Sequence, residues 1–254
     1  MDDLKHKEKC DERFSRLALI LKDEGLRRLE KSTVMVLGLG GVGSSCAEAL
    51  ARGGVGTLIL LDRDTVEITN INRQALAFTS TLGKAKADVM EAMVKEINPS
   101  CRVYSRKVFL TPDNIPTVLS SFPRPDYIID CIDTVSQKLA LAEWAIREEI
   151  PLLSSMGAAN KLDPTKLSFS YIEETSNCPL SRVMRKECRN RRIRKLEVLY
   201  SSEIPMKQVS GGRDKASNLG TMSYMPPIMG QMLAGKVLCR LSGLEIYKNK
   251  SRIR

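Results

Sequence analysis

Three glycines, Gly38, Gly40 and Gly43, stand in the order G-x-G-x-x-G within "VMVLGLGGVGSSCAEAL", residues 34–50. A strand-like run enters them and a helix-like run leaves. That arrangement lets bare backbone N–H groups hold a phosphate at a helix N-terminus. Asp62 ends the next apolar run, 19 residues past Gly43, where an acid can bind ribose hydroxyls. Alone, the pattern favours a dinucleotide, but three further features favour a triphosphate. Gly41 brings still more bare backbone near the phosphates. In "DRDTVEITNINRQ", residues 62–74, Asp62 and Asp64 lead through Asn70 to Arg73 and Gln74. Lys86 in "GKAKAD" lies close to a helix start, where its ammonium can reach a phosphate chain. A hydride-transfer site needs an apolar slot for nicotinamide. Arg73 with Lys86 instead makes a clamp for a triphosphate whose charge must be neutralised as a bond breaks.

Two more groups carry chemistry. Asp130 and Asp133, in "DCID", flank the carboxyl end of a strand, where open α/β sheets bind ligands. Asp133 is the candidate magnesium ligand, because a hard cation bridging phosphates takes carboxylate oxygen. Asp130 is expected to support the loop, and Cys131 to be a core thiol. Between Arg182 and Lys195 stand eight cations and one acid, Glu187. On a helix, Arg182, Arg185, Lys186 and Arg189 share one face, and Arg192 follows in the same run. Charge runs usually only solvate a face, but this excess points to a phosphate backbone. With Arg192 included, these are the candidate RNA contacts.

Each nucleotide-side candidate also has a bland alternative. Asp62 could simply end a strand in solvent, Asn70 and Arg73 could cap a turn, and either Lys84 or Lys86 could be an ordinary exposed residue on an amphipathic helix. The spacing of Asp62 from the glycines favours ribose binding, and two asparagines so near Arg73 suit a polar, phosphate-facing loop.

Composition narrows the chemistry further. The chain has 254 residues, 43% of them hydrophobic, enough for one large α/β domain with an appendage. No run reaches the about 18 apolar residues of a membrane span, and the opening "MDDLKHKEKCDERF" lacks a signal peptide's apolar stretch. A cytoplasmic protein without membrane association is expected. The seven cysteines include no Cys-x-x-Cys pair, so reduced thiols are expected and zinc is not. His6 is the only histidine, which argues against a Ser-His-Asp triad and histidine-based acid/base work. Carboxylates, cations and backbone amides must carry the reaction.

The elements that position these residues alternate. Strands are expected at 34–37, 57–61, 102–107, 127–130 and 152–155, with helices at 44–52, 84–97, 112–121 and 136–148. This is the βαβ pattern of an α/β, Rossmann-like fold: a mostly parallel sheet with helices on both faces. Past Asp163-Pro164 the alternation loosens into a strand near 167–172, the basic segment and an apolar helix near 227–241. The expected division is an N-terminal helical segment (1–31), an ATP-binding region (32–164) and a C-terminal extension of the same domain (165–254).

The ordered motifs "RFSR", "GLGGVGS", "LLDRDTVEITNINRQ", "GKAK", "INPSCRV" and "DCID", over about residues 13–164, resemble the ubiquitin-activating-enzyme-like (ThiF/MoeB/HesA) adenylating family. The resemblance implies one continuous sheet, a homodimer, and an ATP site between Gly41, Asp62, Arg73, Lys86 and Asp133. It also implies that Arg16, ending "RFSR", reaches the triphosphate of the neighbouring subunit. Lys86 fits the family's Gly-x-x-Lys, with Gly83 first.

The branch is decided by the second half. Sulfur-carrier activators usually carry paired Cys-x-x-Cys zinc ligands, which are absent here. "MGAANKLDPTKLS", residues 156–168, followed by "CPLSRVMRKECRNRRIRK", is similar to the tRNA threonylcarbamoyladenosine dehydratase branch. This implies ATP and Mg2+ as cofactors, with room for a monovalent cation, and tRNA as partner; it also admits a cysteine-desulfurase/sulfur-acceptor system. The implied reaction is adenylation of the threonylcarbamoyl carboxylate beside the anticodon, then attack by the side chain's own carbamoyl group. Two rivals remain at this level: activation of a ubiquitin-like or sulfur-carrier protein through Cys178 or Cys188, and a nucleotide-gated RNA-binding protein without chemistry.

Overall fold

The computed structural model describes residues 11–206, 219–244 and 246; His6 and Cys10 lie outside them. Seven strands form one continuous sheet in the order β3-β2-β1-β4-β5-β7-β6. They are β1 (Thr33–Leu37), β2 (Thr57–Asp62), β3 (Arg102–Lys107), β4 (Tyr127–Asp130), β5 (Leu152–Ser155), β6 (Leu167–Tyr171) and β7 (Glu197–Ser201). All neighbours pair in parallel except β6 and β7. The strand order reverses at β1, between β2 and β4, and a crevice opens there at the carboxyl ends.

Successive side chains of a strand point to opposite faces, and here both faces are covered. Val34 and Val36 enter one core with Leu58, Leu60 and Ile129. Helices α2 (Gly41–Arg52), α3 (Lys86–Ile97) and α7 (Met225–Ser242) cover it with Leu50, Met90 and Leu233. Met35 and Leu37 enter the other core with Ile59 and Ile128, under Ile115 and Leu119 of α4 (Ile115–Leu119) and Leu141 and Trp144 of α5 (Val135–Arg147). Each fully buried aliphatic side chain contributes roughly 1.5–3 kcal/mol. A third cluster joins Leu139 of α5 to Met184 and Cys188 of α6 (Pro179–Asn190) and Val198 of β7. Continuity is completed by Glu197 of β7, whose carboxylate accepts from Lys236 and Arg240 of α7. α1 (Ser15–Lys31) packs on α7 and is interrupted at Lys22, whose φ is 57°.

The five N-terminal strands fall within one residue of expectation, and the helices start or stop a few residues away. One strand was not expected. β7 follows directly on the basic run, inserts between β5 and β6, and makes β6 antiparallel. Among the described residues, no helix is long and apolar enough to cross a membrane.

Candidate functional site

The turn from β1 into α2 is built around two glycines. Gly38 has φ 85°, and a Cβ there would stand 2.8 Å from the Cys131 carbonyl oxygen. A Cβ on Gly43 would lie 1.7 Å from the Gly38 oxygen, so only glycine lets the helix start fold back onto the turn. A Cβ on Gly40 would meet nothing within 4 Å, because that backbone faces the open crevice. α2 starts without a side-chain cap, leaving its first N–H groups turned to whatever binds there.

A cavity of about 730 Å3 opens at this point. Gly38, Gly40, Gly41, Asp62, Asp64, Asn70, Arg73, Gln74, Lys86 and Asp133 all line it. Of the expected nucleotide contacts only Gly43, which packs behind the turn, and Arg16 do not. Arg16 is exposed on α1.

Each side chain is held by identifiable forces. Asp62 is 9% exposed and accepts the backbone N–H groups of Leu39 and Asp64, so the carboxylate ties the glycine turn to the end of β2. Two carboxylate oxygens offer about four lone-pair sites, so two such bonds leave capacity for ribose hydroxyls. Lys86 is only 5% exposed, and its ammonium pairs with Asp64 at 3.3 Å, while its N–H binds the Asp64 carbonyl. Burial strips water from that cation and keeps it strong toward phosphate. The Arg73 guanidinium donates to the Thr69 carbonyl and Asn72 Oδ1, at 2.9 and 2.8 Å. Two of five donors are thereby fixed and the rest are free for ligand. Gln74 Oε1 is buried with no partner among the described residues, as a group completed by ligand would be. Asn70 caps its own turn, its Oδ1 accepting from Glu67 N–H at 3.2 Å.

On the β4 side, Asp133 is exposed to the cavity and, among the described residues, accepts only the Thr134 hydroxyl, at 3.2 Å. Among the described residues no three His, Cys, Asp or Glu side chains cluster as a metal cage. A single free carboxylate at a phosphate site suits Mg2+, which takes one or two protein ligands and completes its shell with phosphate and water. Asp130 is buried and does support the loop, its Oδ1 accepting the Ile132 N–H at 3.0 Å. Its other oxygen accepts Lys138 Nζ at 2.9 Å and Ser154 Oγ at 2.6 Å, a buried network that the sequence had not exposed. Cys131, expected in the core, is partly buried against it and also lines the cavity; desolvation, then Asp130, pushes its pKa well up. Cys188 lies in the third core with its pKa pushed up to about 11 by burial, so it is no ready nucleophile.

The basic run forms α6 as expected, but its cations are employed differently. Arg182, Lys186 and Arg189 are exposed, as are Arg192 and Arg194 beyond the helix. Arg185 is half-buried and donates to the Thr175 carbonyl at 2.6 Å and to the Thr175 hydroxyl, so it braces α6 rather than facing solvent with the others. Arg191 pairs with Glu143 of α5 at 3.2 Å. The sequence had also not singled out Phe109 and Leu110 beyond β3, nor Lys161 beyond β5, all of which line the cavity.

Fold and crevice together define a nucleotide-binding α/β protein of the switch-point type. The model of the ThiF family matches residues 13–254, and the chain belongs to that family. It is 39% identical over 252 residues to the tRNA threonylcarbamoyladenosine dehydratase of Bacillus subtilis (strain 168), covering 94% of this chain and 98% of the relative. To the enzyme of that name from Escherichia coli (strain K12) it is 38% identical over 179 residues, covering 70% of this chain and 66% of the relative. The crystal structure of the E. coli enzyme with AMP superposes with a TM-score of 0.82 at 32% identity, covering 91% of this chain and 94% of that one. The structure of the same enzyme with ATP gives 0.82 at 31% identity, covering 93% and 96%.

Proposed function

We propose that this chain is an ATP-dependent tRNA threonylcarbamoyladenosine dehydratase that works through an acyl-adenylate. The observation that carries the proposal is the convergence, on one crevice, of the glycine turn, Asp62, Arg73, Lys86 and Asp133. The B. subtilis and E. coli relatives of that name, similar over 94% and 70% of this chain, support the choice of branch.

The chemistry follows from these groups. The substrate carboxylate is a poor acyl donor, so one of its oxygens attacks the α-phosphorus of ATP and pyrophosphate leaves. Arg73 and Lys86 neutralise the charge that moves onto the departing oxygens. Asp133 would hold Mg2+, which supplies further neutralisation of the phosphates when bound. The carbamoyl group of the same side chain then attacks the activated carbonyl. AMP leaves with the original carboxylate oxygen, a proton is released, and the ring closes with net loss of water. Attack within one molecule needs positioning more than a protein nucleophile.

The test is ATP–pyrophosphate exchange with threonylcarbamoyl tRNA, unmodified tRNA, and a carrier tail ending in Gly-Gly. Exchange with the first alone is expected; exchange with the tail alone would select carrier activation, and none at all would leave an RNA-binding protein. The exposed part of α6 provides an independent check. Reversal of Arg182, Lys186 and Arg189 to glutamate should weaken tRNA binding at least tenfold, a change of about 1.4 kcal/mol, and leave ATP affinity unchanged. The log–log salt slope should become shallower by about 0.7–0.9 per lost phosphate contact. Equal slopes would return the helix to plain solvation.

A homodimer completed by Arg16 belongs to the same proposal, since Arg16 is exposed and away from its own cavity. Mixing Arg16→Ala with Asp133→Ala protein should restore activity, because one site of each mixed dimer is intact. No recovery after verified subunit exchange would place Arg16 outside the site.

A further inference from the structure

Beyond the nucleotide, the cavity continues past the end of β5. Its wall there includes Gly157, Lys161, Cys178 and Leu180. Lys161 is 2% exposed, yet no carboxylate lies within ion-pair distance of it among the described residues. Its ammonium donates to two backbone carbonyls, those of Asn177 and Glu203. An ammonium has three donors, two of which are used among the described residues, and Lys161 lines the cavity. The carboxylate of Glu203 is engaged elsewhere, accepting the N–H groups of Leu162 and Asp163 at 3.0 Å. A buried cation without a bound counter-charge is costly, and an anionic ligand lowers that cost.

A second observation lies beside it. α6 begins at the same wall, and its N-cap residue, Cys178, provides no side-chain cap. Its first intrahelical bond runs from Arg182 N–H to the Cys178 carbonyl, which leaves the N–H groups of Leu180 and Ser181 without a partner in the helix. Ser181 Oγ is also fully buried and has no partner among the described residues. Leu180 and Lys161 both line the cavity and make an electropositive corner there, with Ser181 packed behind them.

The order of strand ends says which anion fits. Asp62 marks the ribose end at β2, while the glycine turn at β1 and Asp133 at β4 mark the phosphates. Arg73 and Lys86, assigned above to the departing pyrophosphate, both follow β2, and a group attacking the α-phosphorus in line approaches from the opposite side, toward β4 and its neighbour β5, about 5 Å further on at the usual spacing. Resting on the adenylation proposed above, we infer that Lys161, with the N–H group of Leu180, binds the carboxylate of the acyl substrate and then the oxyanion formed when the activated carbonyl is attacked. The main reason for a cation here is the second step. Charge develops on the carbonyl oxygen as the carbamoyl group adds and leaves it as AMP departs, so donors fixed in advance act on the transition state.

The experiment uses the full chain with Lys161→Met, which keeps the stem but not the charge, and with Lys161→Arg. The readouts are ATP affinity, tRNA affinity, and the single-turnover rate of ring closure with threonylcarbamoyl tRNA against pH. Lys161→Met should lose about 100-fold in rate and bind threonylcarbamoyl tRNA more weakly by less than the rate falls, with ATP affinity within about threefold of wild type. Burial lowers the Lys161 pKa. The group acts while protonated, so the wild-type rate should hold below that pKa and fall as pH rises through it. Lys161→Arg should retain measurable rate and carry the alkaline fall to higher pH, a displacement that a bracing role alone would not produce. Should Lys161→Met fail to fold, the Lys161→Arg profile decides by itself: an unmoved alkaline limb overturns the inference. A Lys161→Met rate within about threefold of wild type also overturns it, while wild-type exchange with threonylcarbamoyl tRNA leaves the adenylation proposal standing. Wild-type protein inert toward that tRNA would remove both.

Discussion

Replacing Arg73 by alanine or Lys86 by methionine should slow ATP–pyrophosphate exchange by about 100- to 1000-fold, the loss of about 2.7–4 kcal/mol of transition-state stabilisation that follows removal of one preorganised donor. The two side chains reach the crevice by different routes, and the controls differ accordingly. Arg73 is anchored by the Thr69 carbonyl and Asn72, so its alanine variant loses local bonds at a half-exposed turn and should cost at most about 1.5 kcal/mol of stability. Lys86 is buried at the start of α3, and methionine keeps its stem packed there while deleting the ammonium. Its partner Asp64 is half exposed, so that carboxylate is resolvated rather than stranded. Direct titration should find ATP bound more weakly, but by less than the rate falls, because charge on the departing oxygens is greatest in the transition state. Rates near wild type in both variants would overturn the clamp.

Which of these features could be read from the sequence follows from the range of the interactions involved. The glycine turn, Asp62, Arg73 and Lys86 were legible because local spacing within a βαβ unit fixes where such groups emerge. The strands buried on both faces were legible as apolar runs. β7 was hidden because Glu197–Ser201 comes one residue after the cationic run that ends at Lys195, and its identity depends on β5, more than 40 residues earlier. Arg185 obeys the helical spacing that places it with Arg182 and Arg189, yet a carbonyl ten residues upstream captures its guanidinium. Lys161 and Lys138 look like solvent lysines in "ANKLDP" and "SQKLAL", and only the packed chain shows both ammonium groups buried. In each case the missing information was a tertiary partner, and both buried lysines lie within two strands of the switch point.

The Asp130–Lys138 pair should therefore be worth more to the protein than an ordinary helix lysine. Both residues are 1% exposed, and Lys138 Nζ also donates to Ser154 Oγ at 3.1 Å and to the Ser155 carbonyl at 2.8 Å. The network joins α5 to the ends of β4 and β5, beside the loop that carries Asp133. Asp130→Asn removes the charge and leaves a buried ammonium uncompensated, which should destabilise the fold by about 3–5 kcal/mol in denaturant titration. Combining it with Lys138→Met should cost less than the sum of the single changes, since the stranded charge is gone. The amide introduced by Asp130→Asn keeps an oxygen for the Ile132 N–H, whereas Asp130→Ala does not. The alanine variant should accordingly show ATP affinity weaker than the asparagine variant by about two- to tenfold, the worth of one hydrogen bond holding the Asp133 loop. Equal affinities in the two would mean that the network stabilises the sheet without setting the loop, and additive stabilities in the double variant would mean that the two charges are not coupled at all.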